Sequence, residues 1–311
     1  MNKDKPGLMK MIRAPFLSSI ISPLIIGSLL GAYINGSLDI LNFLLVFIMG
    51  ICLHIATNVY NDIYDTLQGT DKINVNRNEF SGGSGVLIDY PDLLPAMQRT
   101  ARIALICALI TTLLLMTRIE TNLKIVLALL YLSSAFFSKY YTAAPVKLAY
   151  RGLGEFFVWF AFGPMAILVA AVSQNVGFQP LIIAAMPITG ISTLSILLIG
   201  QMIDLDADKA TGKWGIAARA GNRAAAIFYC VVQTILFLNV LLVALHYLNN
   251  GWPVLLSVIP YILFAPRIFK IVLNEYDNAD MLKKAAGINV QLHLLFSVLF
   301  IIGLIITLLL N

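Results

Sequence analysis

Charged residues are scarce in this chain: Asp, Glu, Lys and Arg make up 12% of its 311 residues, whereas 59% are hydrophobic. The mean hydropathy is +0.86. A soluble globular domain carries roughly 25% charged residues, so the composition excludes that class of protein. We therefore expect an all-α integral membrane protein whose surroundings are the lipid bilayer.

Cysteine is also rare, and Cys52, Cys107 and Cys230 all lie inside apolar runs. They form no CxxC pair and have no histidine at a spacing suited to zinc, so we interpret them as small core residues. The net charge of +5 comes from basic residues that are dispersed between apolar runs. Because no basic stripe is available to a polyanion, no nucleic acid is expected as a partner.

Long apolar runs are what the sequence has in abundance. A helix needs about 20 apolar residues to cross a bilayer core of about 30 Å, and nine segments qualify. They predict one transmembrane domain over residues 1–311. The predicted spans are Ala14–Asn35, Ile40–Asp65, Leu94–Thr117, Leu123–Tyr141, Phe156–Ser173, Pro180–Ile203, Ala224–Tyr247, Pro253–Lys270 and Ala285–Leu310.

The basic residues predict the orientation of these spans. Nine spans place 19 of the 21 lysines and arginines on the side of the N-terminus, with Lys3 and Lys5 in the leader, and leave only Arg118 and Lys124 opposite. By the positive-inside rule, the N-terminus is cytoplasmic. The long polar loops 66–93 and 204–223 are then cytoplasmic too, and we expect a bacterial or archaeal cell membrane.

Two acidic faces stand at the ends of apolar spans. Asn58, Asn61, Asp62 and Asp65 have the spacing i, i+3, i+4 and i+7, which places them on one face of a helix. Downstream, Gln201, Asp204 and Asp208 share a second stripe, while Asp206 points roughly opposite. The two faces are four helices apart, a spacing that suggests an internal duplication of a four-helix unit.

Solvated helix ends explain a single carboxylate here, but they do not explain two aligned faces on one side of the membrane. Hard oxygen ligands of this kind suit Mg²⁺, which is commonly shared between carboxylates and substrate phosphates. Two facing clusters can clamp a diphosphate through Mg²⁺ and help it leave. Basic residues are available to neutralise the remaining oxygens, namely Lys72, Arg77, Lys139 and Arg219.

Two further features of the sequence can each be interpreted in two ways. The segment Ser81–Gly85 is rich in glycine and either presents backbone N–H groups to an anion or forms a flexible lid. His54 lies one turn from Asn58 on the same stripe, as a packed neutral side chain or as a polar contact to an acceptor substrate.

These residues resemble the UbiA-type intramembrane prenyltransferase superfamily. The spacing Asn61-Asp62-x-x-Asp65-x-x-x-Gly69-x-Asp71 is similar to that of its menaquinone branch, the 1,4-dihydroxy-2-naphthoate polyprenyltransferases. The segments that also match are Tyr141–Glu155, Phe162–Pro164 and Asp204-x-x-x-Asp208-x-x-x-Gly212-Lys213. The chain departs from the family pattern at Gly200–Ile203 and Trp214-Gly215, which border the acceptor side.

The resemblance implies a helical bundle with a lateral opening to lipid. It also implies Mg²⁺-dependent transfer of a polyprenyl group from polyprenyl diphosphate to an aromatic acceptor, with 1,4-dihydroxy-2-naphthoate as the expected one. The residues expected to be catalytic are Asp62, Asp65, Asp204 and Asp208, which hold metal together with Asn58. The expected substrate-binding residues are Asn58, Asn61, Asp71, Lys72, Arg77, Lys139, Tyr141, Lys213 and Arg219.

Other activities stay open at this point. The same diphosphate site serves an enzyme with another acceptor, such as a phenol or glycerol phosphate, or an intramembrane terpene cyclase. A cation-coupled transporter is a different class, but the ionisable residues gather at one face of the membrane, whereas transporter sites lie near the midplane.

Overall fold

The computed structural model describes residues 6–78 and 80–311, so Lys3 and Lys5 of the topology count lie outside the described residues. Within that part of the chain every regular element is a helix and no strand occurs. Nine of the described helices can cross a membrane, which confirms the predicted fold class. They are α1 (Ala14–Asn35), α2 (Ile40–Gln68), α3 (Pro91–Met116), α4 (Thr121–Tyr140), α5 (Gly154–Ser173), α6 (Pro180–Ile203), α7 (Asn222–Tyr247), α8 (Trp252–Asn274) and α9 (Ala279–Leu309).

The predicted helix ends were less accurate than the number of helices. Helix α9 begins at Ala279 rather than Ala285, because the side chain of Asn278 caps it by accepting a hydrogen bond from the Met281 N–H at 3.2 Å. Helix α2 continues past Asp65 to Gln68 and stops at Gly69, whose φ is +92°. All four polar residues of the first acidic face therefore lie on one unbroken helix.

Helix α5 contains an irregular turn that brings it close to α6. A π-turn at Ala161–Met165 surrounds Pro164, and Gly163 of this turn lies against Gly190 of α6. A methyl group at Gly163 would overlap the carbonyl oxygen of Met186. Small residues of this kind let two membrane helices approach backbone to backbone, so the two helices are held at a fixed separation.

One of the two basic residues on the side opposite the N-terminus has a local role. Arg118 forms an ion pair with Asp39 at 3.1 Å and donates from Nε to Asn42 Oδ1 at 2.6 Å. Asp39 also caps α2 by accepting from the Asn42 N–H at 2.9 Å. These contacts bind the start of α2 to the loop after α3. The orientation of the bundle in the membrane stays a prediction, as does the four-helix duplication.

Short helices fill the segments that follow α2 and α6, at the end of the bundle where both acidic motifs lie. Thr70–Ile73 and Val86–Asp89 follow α2, and Leu205–Thr211 and Ile216–Ala220 follow α6. The segments meet where Thr70 Oγ1 lies 2.9 Å from Thr211 Oγ1. The connections therefore fold over the end of the bundle and bring the two motifs together.

The close contact between α5 and α6 predicts an effect on stability. Because a side chain at Gly163 must displace α6 backbone, we expect Gly163→Ala to lower the free energy of unfolding by about 1–3 kcal/mol. Gly287→Ala in α9 is the matched control, since its nearest neighbour is Phe80 Cζ at 3.6 Å. Thermal unfolding of the two variants in detergent measures this difference. Equal melting temperatures would contradict the close contact.

Candidate active site

A cavity of about 1170 Å³, part of it open to the surroundings, lies at this end of the bundle. Eight of the residues predicted from the sequence line it: Asn58, Asn61, Asp65, Asp71, Tyr141, Asp204, Asp208 and Lys213. The two acidic motifs, which are far apart in the chain, thus contribute to one site.

The residues of the first acidic face make two kinds of contact. Asn58, Asn61 and Asp65 line the cavity. Asp62 does not, because its carboxylate accepts hydrogen bonds from the Ser84 N–H at 2.6 Å and from the Ser84 hydroxyl. The helical spacing placed Asp62 with its neighbours, but in this structure its carboxylate holds the glycine-rich loop against α2.

The second acidic face keeps its helical geometry although α6 ends within it. Asp204 follows the last residue of α6, and the Asp208 N–H donates to the Asp204 carbonyl oxygen at 2.9 Å. Both side chains line the cavity, while Asp206 is exposed on the other side. The Asn74 amide holds Asp204 by donating to its Oδ1 at 2.7 Å. The separation of Asp206 from the stripe agrees with the sequence pattern.

Lys213 connects the two motifs directly. Its ammonium group lies 2.9 Å from Asp65 Oδ2, and the Tyr150 hydroxyl donates to Asp65 Oδ1 at 2.7 Å. The Tyr150 hydroxyl also lies 2.8 Å from Thr70 Oγ1. Asp65 on α2 is therefore fixed in place by groups that follow α4 and α6.

The glycine-rich loop forms part of the cavity wall. Ser81, Gly82 and Gly83 line the cavity. Gly83 has a φ of +73°, and a methyl group on it would overlap the Asp71 carboxylate. The backbone of the loop at Gly83 therefore lies directly against the Asp71 carboxylate, and only glycine fits at this position.

The cavity holds more buried negative charge than the protein balances. Burial raises the pKa of Asp208 to about 7, although Lys213 opposes the rise. Burial, followed by the charge of Asp65, raises the pKa of Asp71 to about 7 as well. Burial also raises the pKa of Asp204. Carboxylates in this condition are stabilised by an added cation.

These donors fit a divalent metal that is shared with a substrate. No three Asp, Glu, His or Cys side chains among the described residues are close enough to hold an ion without other ligands. Magnesium normally takes one or two carboxylates and completes its shell with water and phosphate oxygens. Asn61 Oδ1 is a buried cavity-lining atom with no hydrogen-bond partner. The oxygen donors therefore suit a Mg²⁺ ion whose remaining ligands are water and phosphate oxygens.

Four predicted basic residues do not line the cavity. Lys72 and Arg77 are exposed, and Lys139 Nζ lies 5.5 Å from the ring centre of Tyr140. Arg219 approaches Glu155 at 3.7 Å. In this arrangement they surround the site rather than reach into it.

Arg13 is a cavity residue that the sequence interpretation missed. From the sequence alone it is one of the 19 basic residues on the side of the N-terminus, with no further role. In the structure its side chain lines the cavity with the guanidinium 4.3 Å from the ring centre of Phe16. Its φ of +53° is a left-handed conformation that costs free energy for a residue with a side chain. The Asn58 amide binds this segment by donating to the Ile12 carbonyl oxygen at 3.2 Å.

A second cavity continues from the first into the apolar part of the bundle. The two cavities share His54, Thr57, Tyr141, Val158 and Phe162. Beyond them the second cavity is lined mainly by apolar side chains of α1, α2, α4 and α5. His54 and Phe162 meet at the junction with ring centres 5.0 Å apart. The site therefore has a charged compartment and an apolar channel.

Two of the proteins that are similar to this chain are named as a naphthoquinone phytyltransferase and a naphthoate octaprenyltransferase. A 2-carboxy-1,4-naphthoquinone phytyltransferase from Synechocystis is 27% identical over 164 residues, 52% of this chain and 52% of that protein. A 1,4-dihydroxy-2-naphthoate octaprenyltransferase from Bacillus subtilis is 26% identical over 220 residues, 70% of this chain and 67% of that protein. The match thus spans about half the length of the former relative.

Solved structures of similar fold come from archaea. A UbiA homologue from Aeropyrum pernix has a TM-score of 0.66 at 15% identity, covering 94% of this chain and 98% of its own. A UbiA homologue from Archaeoglobus fulgidus, bound to DMAPP and Mg²⁺, has a TM-score of 0.56 at 13% identity, covering 97% and 99%.

The sequence pattern of the UbiA prenyltransferase family matches residues 20–296, which include both acidic motifs, the seven complete spanning helices α2 to α8 and parts of α1 and α9. The family match and the similar folds confirm the resemblance that the two acidic motifs indicated. The chain is an integral membrane protein that belongs to the UbiA prenyltransferase family.

Proposed function

We propose that this chain transfers a prenyl group from a polyprenyl diphosphate to an aromatic acceptor, 1,4-dihydroxy-2-naphthoate. The observation that carries the proposal is the junction of a carboxylate-lined cavity with an apolar channel. A prenyl diphosphate has the same two parts, a charged head and an apolar tail. The names of the similar naphthoate and naphthoquinone prenyltransferases support the choice of acceptor.

Each part of the site has a task in this reaction. Asn58, Asp62, Asp65, Asp204 and Asp208 would hold Mg²⁺ together with the diphosphate, and Asn61 would bind the diphosphate beside them. The bound metal supplies positive charge that stabilises the leaving diphosphate. Lys213 restrains Asp65 at 2.9 Å, so this carboxylate is oriented before substrate arrives.

Breaking the carbon–oxygen bond of the donor leaves an allylic cation that water would capture. The apolar channel excludes water from the tail side, and the ring face of Phe162 at the junction can stabilise a cation. Phe162 is held by its π-turn, where the Thr189 hydroxyl donates to the Phe162 carbonyl oxygen at 2.7 Å. The allylic cation then forms a carbon–carbon bond with the electron-rich acceptor ring, and the attacked ring carbon loses its substituent, as H⁺ or as CO₂, which restores the aromatic ring and completes the transfer.

Purified protein should convert geranylgeranyl diphosphate and 1,4-dihydroxy-2-naphthoate to a prenylated product when Mg²⁺ is present, and EDTA should abolish the reaction. Mass spectrometry of the product measures this. A panel of phenols, glycerol phosphate and no acceptor is run in parallel. Product from another acceptor only, or without any acceptor, contradicts the proposed acceptor, and cation-driven uptake into vesicles without prenyl products contradicts the activity itself.

The two aspartates after α6 provide a matched pair of variants. We expect Asp208→Asn to lower kcat/KM by about 100-fold or more, because it removes a charge aimed at the metal and diphosphate. Asp206→Asn should change kcat/KM by no more than about twofold, since Asp206 is exposed and off the cavity wall. Steady-state kinetics of both variants test this, and equal losses would refute the assignment of the stripe.

Arg13 should contribute to binding of an anionic substrate. We expect Arg13→Gln to raise KM about tenfold for the donor or for the carboxylated acceptor, since a hydrogen bond between charged groups contributes about 1.5–3 kcal/mol. Lys10→Gln removes the same charge from an exposed position in the same segment. If both variants raise KM equally, the effect comes from the general charge of the leader and not from the cavity.

A further inference from the structure

Gln201 is a cavity residue whose side chain has an unused hydrogen-bond acceptor. It lies in the last turn of α6 and lines the carboxylate-lined cavity, with 8% of its surface exposed. Among the described residues, no group donates a hydrogen bond to its Oε1. A buried acceptor without a partner is costly, so a ligand with a hydrogen to donate is favoured at this position.

The surroundings of Gln201 favour an aromatic ring over a diphosphate. Ile196 and Leu197, about one turn farther from the carboxylates on the same face of α6, also line the cavity. A diphosphate offers only oxygen acceptors, and it carries charge that an apolar wall does not stabilise. A hydroxylated ring can instead donate to Oε1 and place its carbon face against Leu197. The group that fits beside Gln201 is therefore a ring hydroxyl.

A glycine from another segment leaves room for this carboxamide. A Cβ at Gly215 would lie 2.5 Å from Gln201 Nε2, 2.6 Å from its Cδ and 2.9 Å from its Oε1. The backbone of Gly215, with φ −66° and ψ 173°, is extended and open to any residue, so it is the space that requires glycine. Gln201 and Gly215 belong to the two segments that depart from the family pattern, and the structure brings them into contact.

The backbone around Gly215 is held on both sides. The Ile216 N–H donates to Glu155 Oε1 at 2.6 Å, and the Gly215 N–H donates to the Lys213 carbonyl oxygen at 3.1 Å. The end of a glutamine side chain rotates more easily than such a backbone moves. A methyl group at position 215 should therefore displace the carboxamide of Gln201.

We propose that Gln201 recognises the acceptor by receiving a hydrogen bond from one of its ring hydroxyls, and that Gly215 keeps the carboxamide in position for it. The inference rests on the proposed prenyltransferase function. Gln201 acts on the acceptor and not on the prenyl diphosphate, so its replacement should leave the KM for the donor unchanged. An acceptor that lacks the recognised hydroxyl gains nothing from Gln201.

The test uses the purified full-length chain with geranylgeranyl diphosphate, Mg²⁺ and 1,4-dihydroxy-2-naphthoate. The two analogues that each lack one hydroxyl, 1-hydroxy-2-naphthoate and 4-hydroxy-2-naphthoate, are compared with it. Binding is measured as KM for a substrate and as the inhibition constant for an analogue that is not prenylated. Gln201→Met keeps the length of the side chain without the carboxamide. It should weaken binding of the dihydroxylated acceptor about tenfold, the effect of one hydrogen bond, and leave binding of one analogue unchanged.

Gly215→Ala should weaken binding of the same acceptor by displacing the carboxamide. Because both changes act through one group, Gly215→Ala should add no more than about twofold when Gln201→Met is already present. Gln179→Met is the matched control, since it makes the same exchange at an exposed position just before α6. It should change binding of none of the three compounds.

No loss in Gln201→Met, or an equal loss for all three compounds, overturns the inference even if Gly215→Ala proves unstable. A rise in the KM for geranylgeranyl diphosphate or in the Mg²⁺ requirement, with binding of the acceptor unchanged, overturns it in favour of a contact to a metal-bound water. An equal loss in Gln179→Met overturns it as well. Absence of prenyl product from the unaltered protein with every acceptor refutes the proposed function instead.

Discussion

Lys213 holds Asp65 at 2.9 Å in a position where both side chains are mostly shielded from water. Removing one partner of such a pair costs about 3–5 kcal/mol, because the other charge is left without compensation. Asp65 belongs to α2 and Lys213 to the segment after α6, so the pair ties the two acidic motifs together. The cavity exists in this form because the negative charge of one half is bound by the positive charge of the other.

Among the described residues, two cations, Lys213 and Arg13, line the cavity with four carboxylates, so the cavity is short of positive charge. Asp71, Asp204 and Asp208 have raised pKa values, chiefly because they are buried. A fold that assembles carboxylates in a poorly hydrated place is under electrostatic strain until a cation binds. In the proposed function this strain is useful, because it favours binding of a metal together with a diphosphate.

The sequence was sufficient for features that depend on local periodicity. Apolar runs predicted nine spanning helices in the described chain, and i, i+4 spacing separated Asp206 from Asp204 and Asp208. The sequence was insufficient where a side chain binds a residue from a distant segment of the chain. The carboxylate of Asp62 accepts hydrogen bonds from Ser84, a contact with a distant loop that periodicity along α2 cannot predict. The part of Asp62 in holding metal stays a prediction.

The sequence also cannot show which basic residues reach the cavity. A lysine or arginine beside a membrane helix satisfies the positive-inside rule whether or not it reaches a ligand. Lys72 and Arg13 are therefore indistinguishable by pattern, and only the fold shows that Lys72 is exposed while Arg13 lines the cavity. The left-handed backbone at Arg13 depends on how the leader docks on Asn58, a tertiary contact.

The hydrogen-bonding groups that remain unpaired in the wall bear on the acceptor. The Asn58 amide donates to Ile12, so its oxygen faces His54 Nε2 at 3.1 Å, and that nitrogen carries the proton. His54 Nδ1 is then a bare acceptor, and Gln201 Oε1 is a second one without a partner. A diphosphate has no hydrogens to offer these atoms, whereas a dihydroxylated ring has two. Gln201, which departs from the family pattern, lines the same cavity, and under the proposed function we expect it to contribute to recognition of the acceptor.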